Sequence, residues 1–486
     1  MKILHYILML IITISTTVNA QTVIFNKTFT RNTPVMRNVL ITEDGYIVVG
    51  GDYNSVWKVE ILIVGFDNLG NKLWEKSYGD DLFDYYHGGN NSFIINNDGG
   101  YSLSGHRTNT FNEHRACMLT KFDQNFDTLW TKLYFDNPDF TAFYNHIQTA
   151  DGGYALVGST DESDPDGDVL LVKTDSNGNM EWYKKYGTSD RDIGLCIIAT
   201  DDGGYLIGGL TNGIGNGDGY LIKTDSEGNK QWTKHYGNPL YPDGSINTII
   251  RTENNEYVFA LSAYVTDPIS ASFYNRKYGI IKLNSEFEEV WNKLYGIRAE
   301  YTSIGTIAVA NNGEIFTTVK DDNIVGLFRL SPSGDSISKH YYEPGESIGQ
   351  RSLFSIKQTP DNGFIMAGVA FDPQVMWLVK TDSCGCVVED CECGESFVNT
   401  VCENSKIDIY PDPASDYTII PYYLPEDTDG IMEIYDAMGK VIAIYNLYQG
   451  DNQLNIDTKN LHPGIYTYTL ITKEHGTISK KFIIYK

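Results

Sequence analysis

Asp151-Gly152-Gly153-Tyr154 and Lys173-Thr174-Asp175-Ser176-Asn177-Gly178-Asn179 recur in the same order as Asp202-Gly203-Gly204-Tyr205 and Lys223-Thr224-Asp225-Ser226-Glu227-Gly228-Asn229. Each copy continues with a tryptophan, a lysine and a Tyr-Gly, as in Trp182, Lys184, Tyr186 and Gly187. Working outward from these two copies, the aromatic or apolar residue after the first turn falls at Tyr46, Tyr101, Tyr154, Tyr205, Tyr257, Ile315 and Phe364. These anchors lie 55, 53, 51, 52, 58 and 49 residues apart. Seven copies at a nearly fixed period are the signature of a repeat architecture.

Within the third copy four short runs stand out, roughly Tyr144 to Thr149, Tyr154 to Ser159, Val169 to Thr174 and Met180 to Tyr186. The turns between them hold Gly and Asn, which accept positive φ at little cost and so favour tight hairpins. Helical periodicity is absent, and each copy predicts one four-stranded antiparallel sheet. Seven such sheets predict an all-β fold, a seven-bladed β-propeller over residues 21–382. The seventh copy supplies only three strands, Phe354 to Gln358, Phe364 to Ala370 and Trp377 to Thr381. The missing Trp-x-Lys-x-Tyr strand has its counterpart near the other end of the chain, in Phe25-Asn26-Lys27-Thr28-Phe29. The N-terminal strand is therefore expected to close the ring, which removes the largest unpaired sheet edge.

Trp74, Trp130, Trp182, Trp232 and Trp291 occupy one place in successive copies and read as packing between neighbouring sheets. The Asp-x-x-Gly-x-x-x-Trp run resembles the tryptophan-docking repeats of quinoprotein-like propellers, with one residue fewer between Asp and Trp. That resemblance concerns blade construction, and no quinone cofactor follows from it.

Lys2, the apolar run Ile3 to Ile12 and the small-residue pattern Val18-Asn19-Ala20 read as a secretory signal peptide over residues 1–20. A run of about a dozen residues is too short to span a bilayer, so the mature chain is expected to be exported and not membrane-spanning. A net charge of -26 repels phosphate backbones and argues against nucleic acid as a partner.

In such a sheet both tight turns fall at one end, while the connections after the second strand and those between copies fall at the other. Variable loops on a rigid scaffold are where specificity usually sits. Those loops run from Asp80 to His87, Asp136 to Tyr144, Thr188 to Ile193, Asn238 to Asp243, Ile297 to Tyr301 and Glu343 to Arg351, and they are aromatic and acidic. Asp84, Tyr85, Tyr86, Tyr144, Asp192, Tyr241, Asp243 and Tyr301 are the ligand-binding candidates, rings for stacking and carboxylates as acceptors. The competing reading is that these rings only cover the ends of the sheets.

A catalytic constellation does not emerge. Gly100-Tyr101-Ser102-Leu103-Ser104-Gly105 has the outline of a nucleophile elbow but falls inside a strand, so its serines read as structural. His106 and His114 bracket a loop without metal-ligand spacing. Asp164-Pro165-Asp166-Gly167-Asp168 gathers carboxylates that suit calcium, yet an EF-hand loop needs Gly and Glu where Val169 and Asp175 stand. No cofactor is expected.

Cys117 and Cys196 fall in expected strands and read as small buried apolar residues. Cys384, Cys386, Cys391, Cys393 and Cys402 crowd a linker over residues 383–406, where export favours disulfides and the paired CxC spacing leaves zinc as the alternative. From residue 407 the repeat gives way to seven short alternating runs that suggest a small β-sandwich. Three ordered motifs and a basic end there resemble type IX secretion C-terminal sorting domains. Tyr410-Pro411-Asp412-Pro413 is similar to their Tyr-Pro-Asn-Pro entry, with Asp412 for the usual Asn, and Tyr435-Asp436-Ala437-Met438-Gly439-Lys440 to their central turn. Leu461-His462-Pro463-Gly464-Ile465-Tyr466 is similar to their Leu-x-x-Gly-x-Tyr hairpin, and Lys480-Lys481-Phe482 to their basic end. The resemblance implies passage through the outer membrane of a Gram-negative bacterium, contact with the type IX machinery, removal of the module, and release or surface attachment.

The expectation is a non-enzymatic extracellular module that binds glycan, protein or surface polymer. Its rivals are a secreted polysaccharide hydrolase or lyase using the same loops, and a structural surface protein.

Overall fold

The computed structural model describes residues 23–485 except 32–33, 54–57, 112–113, 138–140, 161–166, 189–190, 212–217, 237–243, 267–273, 300–301, 322–323, 346–348, 389–413, 415, 422–429, 437–439, 448–452 and 473–475. Among these residues every regular element is a strand. Sheet one holds Pro34–Thr42, Gly45–Tyr53, Val59–Asp67 and Lys72–Tyr78. Sheet three holds Ala142–Gln148, Tyr154–Ser159, Val169–Thr174 and Met180–Tyr186, and sheet four Asp192–Ala199, Tyr205–Thr211, Asp218–Thr224 and Lys230–Tyr236. Sheet five (Ile246–Arg251 to Glu289–Ala299) and sheet six (Thr302–Val309 to Ser336–Tyr342) repeat the antiparallel order. In sheet two the first strand is split into Phe83–His87 and Phe93–Ile95, both paired with Tyr101–Asn109. Sheet seven comprises Arg351–Gln358, Phe364–Ala370 and Val375–Thr381, and its fourth strand is Phe25–Thr30. Phe25 stands opposite Lys380 and Thr30 opposite Val375, the pairing expected of the N-terminal strand.

The repeated residues are explained by two turns and one rim strand. In the first turn, Asp151 Oδ1 accepts from Thr149 Oγ1 at 2.5 Å and from the Gly153 amide at 3.0 Å, closing an Asx-type turn. Gly152 sits at φ 83°, and a Cβ on Gly153 would lie 2.1 Å from the Thr174 carbonyl oxygen, so both positions exclude a side chain. Asp151 Oδ2 also meets the Lys173 amine at 2.7 Å. The same tie joins Lys121 to Asp98, Lys223 to Asp202 and Lys380 to Asp361. Sheets five and six carry Asn at the Asp position and Glu two residues later. The carboxylate is kept there, in Lys282–Glu256 at 2.7 Å and Arg329–Glu314 at 2.8 Å.

The second turn receives the rim strand of the preceding sheet. Gly178 is at φ 75°, and its missing side chain makes room for the Trp130 ring. Lys132 donates to Asn179 Oδ1 at 3.0 Å, and the Tyr134 hydroxyl donates to the Gly178 carbonyl at 2.6 Å. Trp182, Lys184 and Tyr186 do the same to Gly228 and Asn229. The Trp-x-Lys-x-Tyr pattern is thus a latch between neighbouring sheets. In sheets two and five the left-handed position is held by Phe126 and Phe287, whose rings lie 4.6 Å from Trp74 and 5.3 Å from Trp232. Phe25–Thr30 repeats the latch onto sheet one, with the Phe25 ring against Gly70 and Lys27 on Asn71 Oδ1 at 2.9 Å. The five tryptophans are half-buried rather than engulfed. Trp377, on a central strand, is fully buried.

Seven apolar clusters each join two sheets that follow one another. The one built from Met36, Val48, Leu62, Ile365, Met376 and Leu378 joins sheet seven to sheet one. The first strands of the sheets face one another across these junctions. Val39 N donates to Ser355 Oγ at 3.2 Å, Ile356 N to Thr306 Oγ1 at 2.9 Å, Ile197 N to Asn145 Oδ1 at 3.3 Å, and Asn38 Nδ2 to Ser92 Oγ at 3.3 Å. In sheets one, three, four, five and seven these strands carry a one-residue bulge, which leaves Arg37, Tyr144, Leu195, Asn247 and Phe354 out of register and partly exposed. Cys117 and Cys196 are buried in strands, as expected from the sequence.

The C-terminal module pairs Tyr417–Pro421 with Gln453–Asp457 and, separately, orders Val441–Leu447, Gly430–Tyr435, Gly464–Thr472 and Gly476–Ile484 into one sheet. Ile420, Met432, Ile434, Tyr466, Phe482 and Ile484 form its core. Six of the seven expected strands are present, and the seventh, Ile407 to Tyr410, lies outside the described residues. So do residues 1–20, Cys391, Cys393, Cys402, Pro411, Pro413 and Gly439.

Candidate functional site

Sheet two breaks the repeat where its first strand should run unbroken. His87 pairs with Gly105 and Phe93 with Leu103, so five residues, Gly88 to Ser92, replace the single bulge residue found in sheets one and three. The insertion is fixed from three sides. Gly88 N donates to Ser104 O at 2.8 Å, Gly89 N to Tyr144 O at 2.6 Å, and Asn145 Nδ2 to Asn90 O at 3.0 Å. A Cβ on Gly88 would lie 2.4 Å from the Tyr144 carbonyl, which explains a glycine there. Asn91 sits at φ 62°, a conformation that concentrates at functional positions when a side chain is present. The buried Asn90 Oδ1 has no hydrogen-bond partner.

Around this insertion the side chains are aromatic and basic. Tyr86 stacks on His106 at 4.8 Å with 13° between the rings. The Arg37 guanidinium lies 4.8 Å from the Phe354 ring centroid, and that of Arg107 lies 3.9 Å from Phe83. His87 Nδ1 meets the Gly88 carbonyl at 2.6 Å, so the proton is on Nδ1. Burial, reinforced by the Arg37 charge, pushes His87 down to about 4. Burial, then Arg115 and His87, pushes His106 down to about 3. His106 Nδ1 is buried and unpartnered. The sequence reading set His106 at the edge of a loop, whereas it lies inside Tyr101–Asn109.

Ser102 and Ser104 are fully buried and structural, as their place in a strand implies. They bracket His146, with Ser102 Oγ 2.8 Å from Nε2 and Ser104 Oγ 3.0 Å from Nδ1. Ser102 passes its own proton to Asn96 Oδ1 at 2.9 Å. Burial pushes His146 down to about 3. This Ser-His-Ser-Asn relay has the connectivity of a nucleophile and base, but no substrate reaches hydroxyls without exposed surface.

Of the eight residues singled out from sequence, the fold brings Tyr86 and Tyr144 to the insertion. Tyr85 donates to Asp80 Oδ2 at 2.6 Å, and Asp84 Oδ1 accepts from Val59 N at 3.0 Å, so both brace the sheet end. Asp192 is elsewhere, fully buried where sheets three and four meet, with Oδ2 taking the Thr188 amide at 2.6 Å. A Cβ on Gly187 would meet Asp168 Oδ1 at 1.8 Å and Asp192 Oδ2 at 3.1 Å. Tyr241, Asp243 and Tyr301 lie outside the described residues, as do Asp164 and Asp166. Among the described residues no three His, Cys, Asp or Glu converge as a metal site. Sequence reading missed Arg37, His87, Arg115, Phe354 and the insertion. The available signal was Gly88-Gly89-Asn90-Asn91 placed where the other copies continue as strand.

Residues 408–485 match the family described as the secretion system C-terminal sorting domain. The C-terminal module is therefore a type IX sorting domain, and the chain is exported to a secreted or cell-surface location. No curated protein matches the chain in sequence. Among solved structures it is similar to an extracellular domain of a hybrid two-component system from B. thetaiotaomicron, at 12% identity and a TM-score of 0.46, covering 95% of this chain. The chain spans 59% of the length of that protein. It is also similar to the polysaccharide lyase Uly1 (11% identity, TM-score 0.46, 76% of this chain and 94% of that one). A further likeness is to the β-propeller domain of the Trilobed protease from Pyrococcus furiosus (11% identity, TM-score 0.41, 74% and 93%). No helix among the described residues is long and apolar enough to cross a membrane.

Proposed function

We propose that the chain is an exported binding module, a seven-bladed propeller closed by its N-terminal strand and delivered by its type IX sorting domain. It recognises a glycan, protein or surface polymer through the end that carries the variable loops. Seven apolar junctions in cyclic order, the last joining sheets seven and one, support the closed ring. The observation that carries the binding reading is the insertion in sheet two. Five residues with a left-handed Asn91 and an unsatisfied Asn90 interrupt a hub strand that packing alone would leave intact. The boundaries that go with this reading are a signal peptide over residues 1–20, the propeller over 21–382, a linker over 383–406 and the sorting domain over 407–486. Within the linker, Cys384, Cys386, Cys391, Cys393 and Cys402 are the disulfide candidates. The burial of Cys384 and Cys386 on the last turn, whose Gly385 carbonyl accepts from the Tyr342 hydroxyl at 2.7 Å, supports a pinned exit from the last sheet.

Among the described residues the enzyme reading can draw on Asp168 and Asp192, which crowd Gly187. Asp192 has no exposed surface, which counts against a sugar reaching it. A glycan array and a polysaccharide-cleavage screen on residues 21–404 separate the readings. Binding without turnover is expected, and turnover abolished by Asp168→Asn would replace the proposal with the enzyme.

A further inference from the structure

Asp192 carries a carboxylate that the fold leaves half completed. It opens the first strand of sheet four, has no exposed surface, and donates its own amide to the Gly167 carbonyl at 2.6 Å. Its Oδ2 accepts twice from Thr188, from the amide at 2.6 Å and from the hydroxyl at 3.1 Å. Its Oδ1 is buried and accepts no hydrogen bond, and Asp192 forms no ion pair among the described residues. A buried carboxylate oxygen is normally hydrogen-bonded, paired with a base or bound to a metal.

A second carboxylate stands beside it. Gly187 lies between the two, and a Cβ there would fall 1.8 Å from Asp168 Oδ1 and 3.1 Å from Asp192 Oδ2. Those oxygens are therefore no more than about 5 Å apart, the reach of two ligands on opposite sides of one calcium ion. Asp168 keeps partly exposed surface, through which an ion can enter. It ends the acidic run Asp164-Pro165-Asp166-Gly167-Asp168, whose spacing departs from an EF-hand loop, and the carboxylate beside it comes from the neighbouring sheet instead. Asp192, Thr211 and Asp218 are opposed on successive strands of sheet four. The buried Asp218 thus adds negative charge to the same face about 10 Å away, two strand spacings, too far to share an ion.

We propose that Asp168 and Asp192 bind a calcium ion at the junction of sheets three and four. Calcium takes oxygen ligands in irregular geometry and completes its shell with main-chain carbonyls and water, whereas magnesium demands a regular octahedron. The ion ties the third strand of sheet three to the first strand of sheet four, at the end that carries the variable loops. The inference goes beyond the binding-module reading and does not depend on what that module recognises.

The test is calorimetric titration of the full mature chain, stripped with EDTA, with calcium chloride and with magnesium chloride, alongside thermal unfolding in calcium and in EDTA. Calcium should bind, raise the unfolding temperature, and exceed magnesium in affinity by about tenfold or more. Asp192→Asn and Asp168→Asn should each weaken calcium by about tenfold or more and abolish the calcium-dependent shift in unfolding. Should Asp192→Asn fail to fold, the partly exposed Asp168 gives the deciding variant. No calcium binding to the unaltered chain overturns the site. Binding that the variants leave unchanged overturns it as well, because the ion then sits elsewhere. Magnesium binding as tightly as calcium overturns the choice of ion.

Discussion

The rim and the hub of the propeller-like region were built by opposite rules. At the rim, one latch recurs from sheet to sheet, with Trp130, Lys132 and Tyr134 on Gly178 and Asn179 matched by Trp182, Lys184 and Tyr186 on Gly228 and Asn229. At the hub, the first strands share a polar belt and a one-residue bulge, and sheet two departs from it with five residues, unsatisfied polar atoms and a basic lining. Repetition marks what holds neighbouring sheets together. The exception marks what the scaffold presents, because local rules are usually broken where function requires it.

Removing the N-terminal strand is the largest perturbation available to the rim. Deleting residues up to Thr30 exposes Val375–Thr381 as an edge and strips the Phe25 and Lys27 contacts from sheet one. A loss of at least about 5 kcal/mol in urea-induced unfolding, with a tendency to aggregate, is expected. Unchanged unfolding would show that the latch onto sheet one carries no weight.

Single contacts come next. Trp182→Ala should cost about 3 kcal/mol, at the low end for a large aromatic because the ring is half-buried. Asp202→Ala should also cost about 3 kcal/mol, since it leaves the Lys223 amine buried without its carboxylate. Lys223→Met removes the buried member instead, and Asp202 remains half exposed to water, so stability should change by less than about 1 kcal/mol. Equal losses for the two changes would contradict the asymmetry.

A smaller effect separates hub from rim by pH. His87, His106 and His146 are neutral in the fold, at about 4, 3 and 3, and take protons near 6.5 when unfolded. Their contribution is complete above about pH 6.5 and is lost as pH falls toward 4 and then 3, each ring adding a slope of up to about 1.4 kcal/mol per pH unit. His146→Gln should flatten that acid limb. An identical limb in the variant would mean that the ring titrates in the folded chain.

The rim was largely legible in the sequence, and the hub was not. Met180 to Tyr186, Val169 to Thr174 and Tyr154 to Ser159 match the observed strands, because turn chemistry and alternation are local properties. The pairing of Phe25 with Lys380 was legible for the same reason, a latch strand being recognisable even at the wrong end of the chain. The Lys173–Asp151 tie was overlooked although both residues recur, since a lysine late in a strand reads as solvated until burial is known. The site failed differently. Loop composition picked out Asp84, Tyr85 and Asp192, which brace sheet ends or are buried, while Arg37 and His87 gain meaning only from strands about fifty residues apart that neighbouring sheets bring together.

The account depends most on the ring being closed by residues 25–30. Thr30→Cys with Val375→Cys places two thiols on directly opposed positions at the end of that pairing. After mild oxidation, non-reducing peptide mapping by mass spectrometry should find residues 30 and 375 linked in most molecules, with unfolding moved to higher denaturant. Residue 30 left unlinked, or linked to cysteines of the 384–402 cluster instead, would contradict the closed ring.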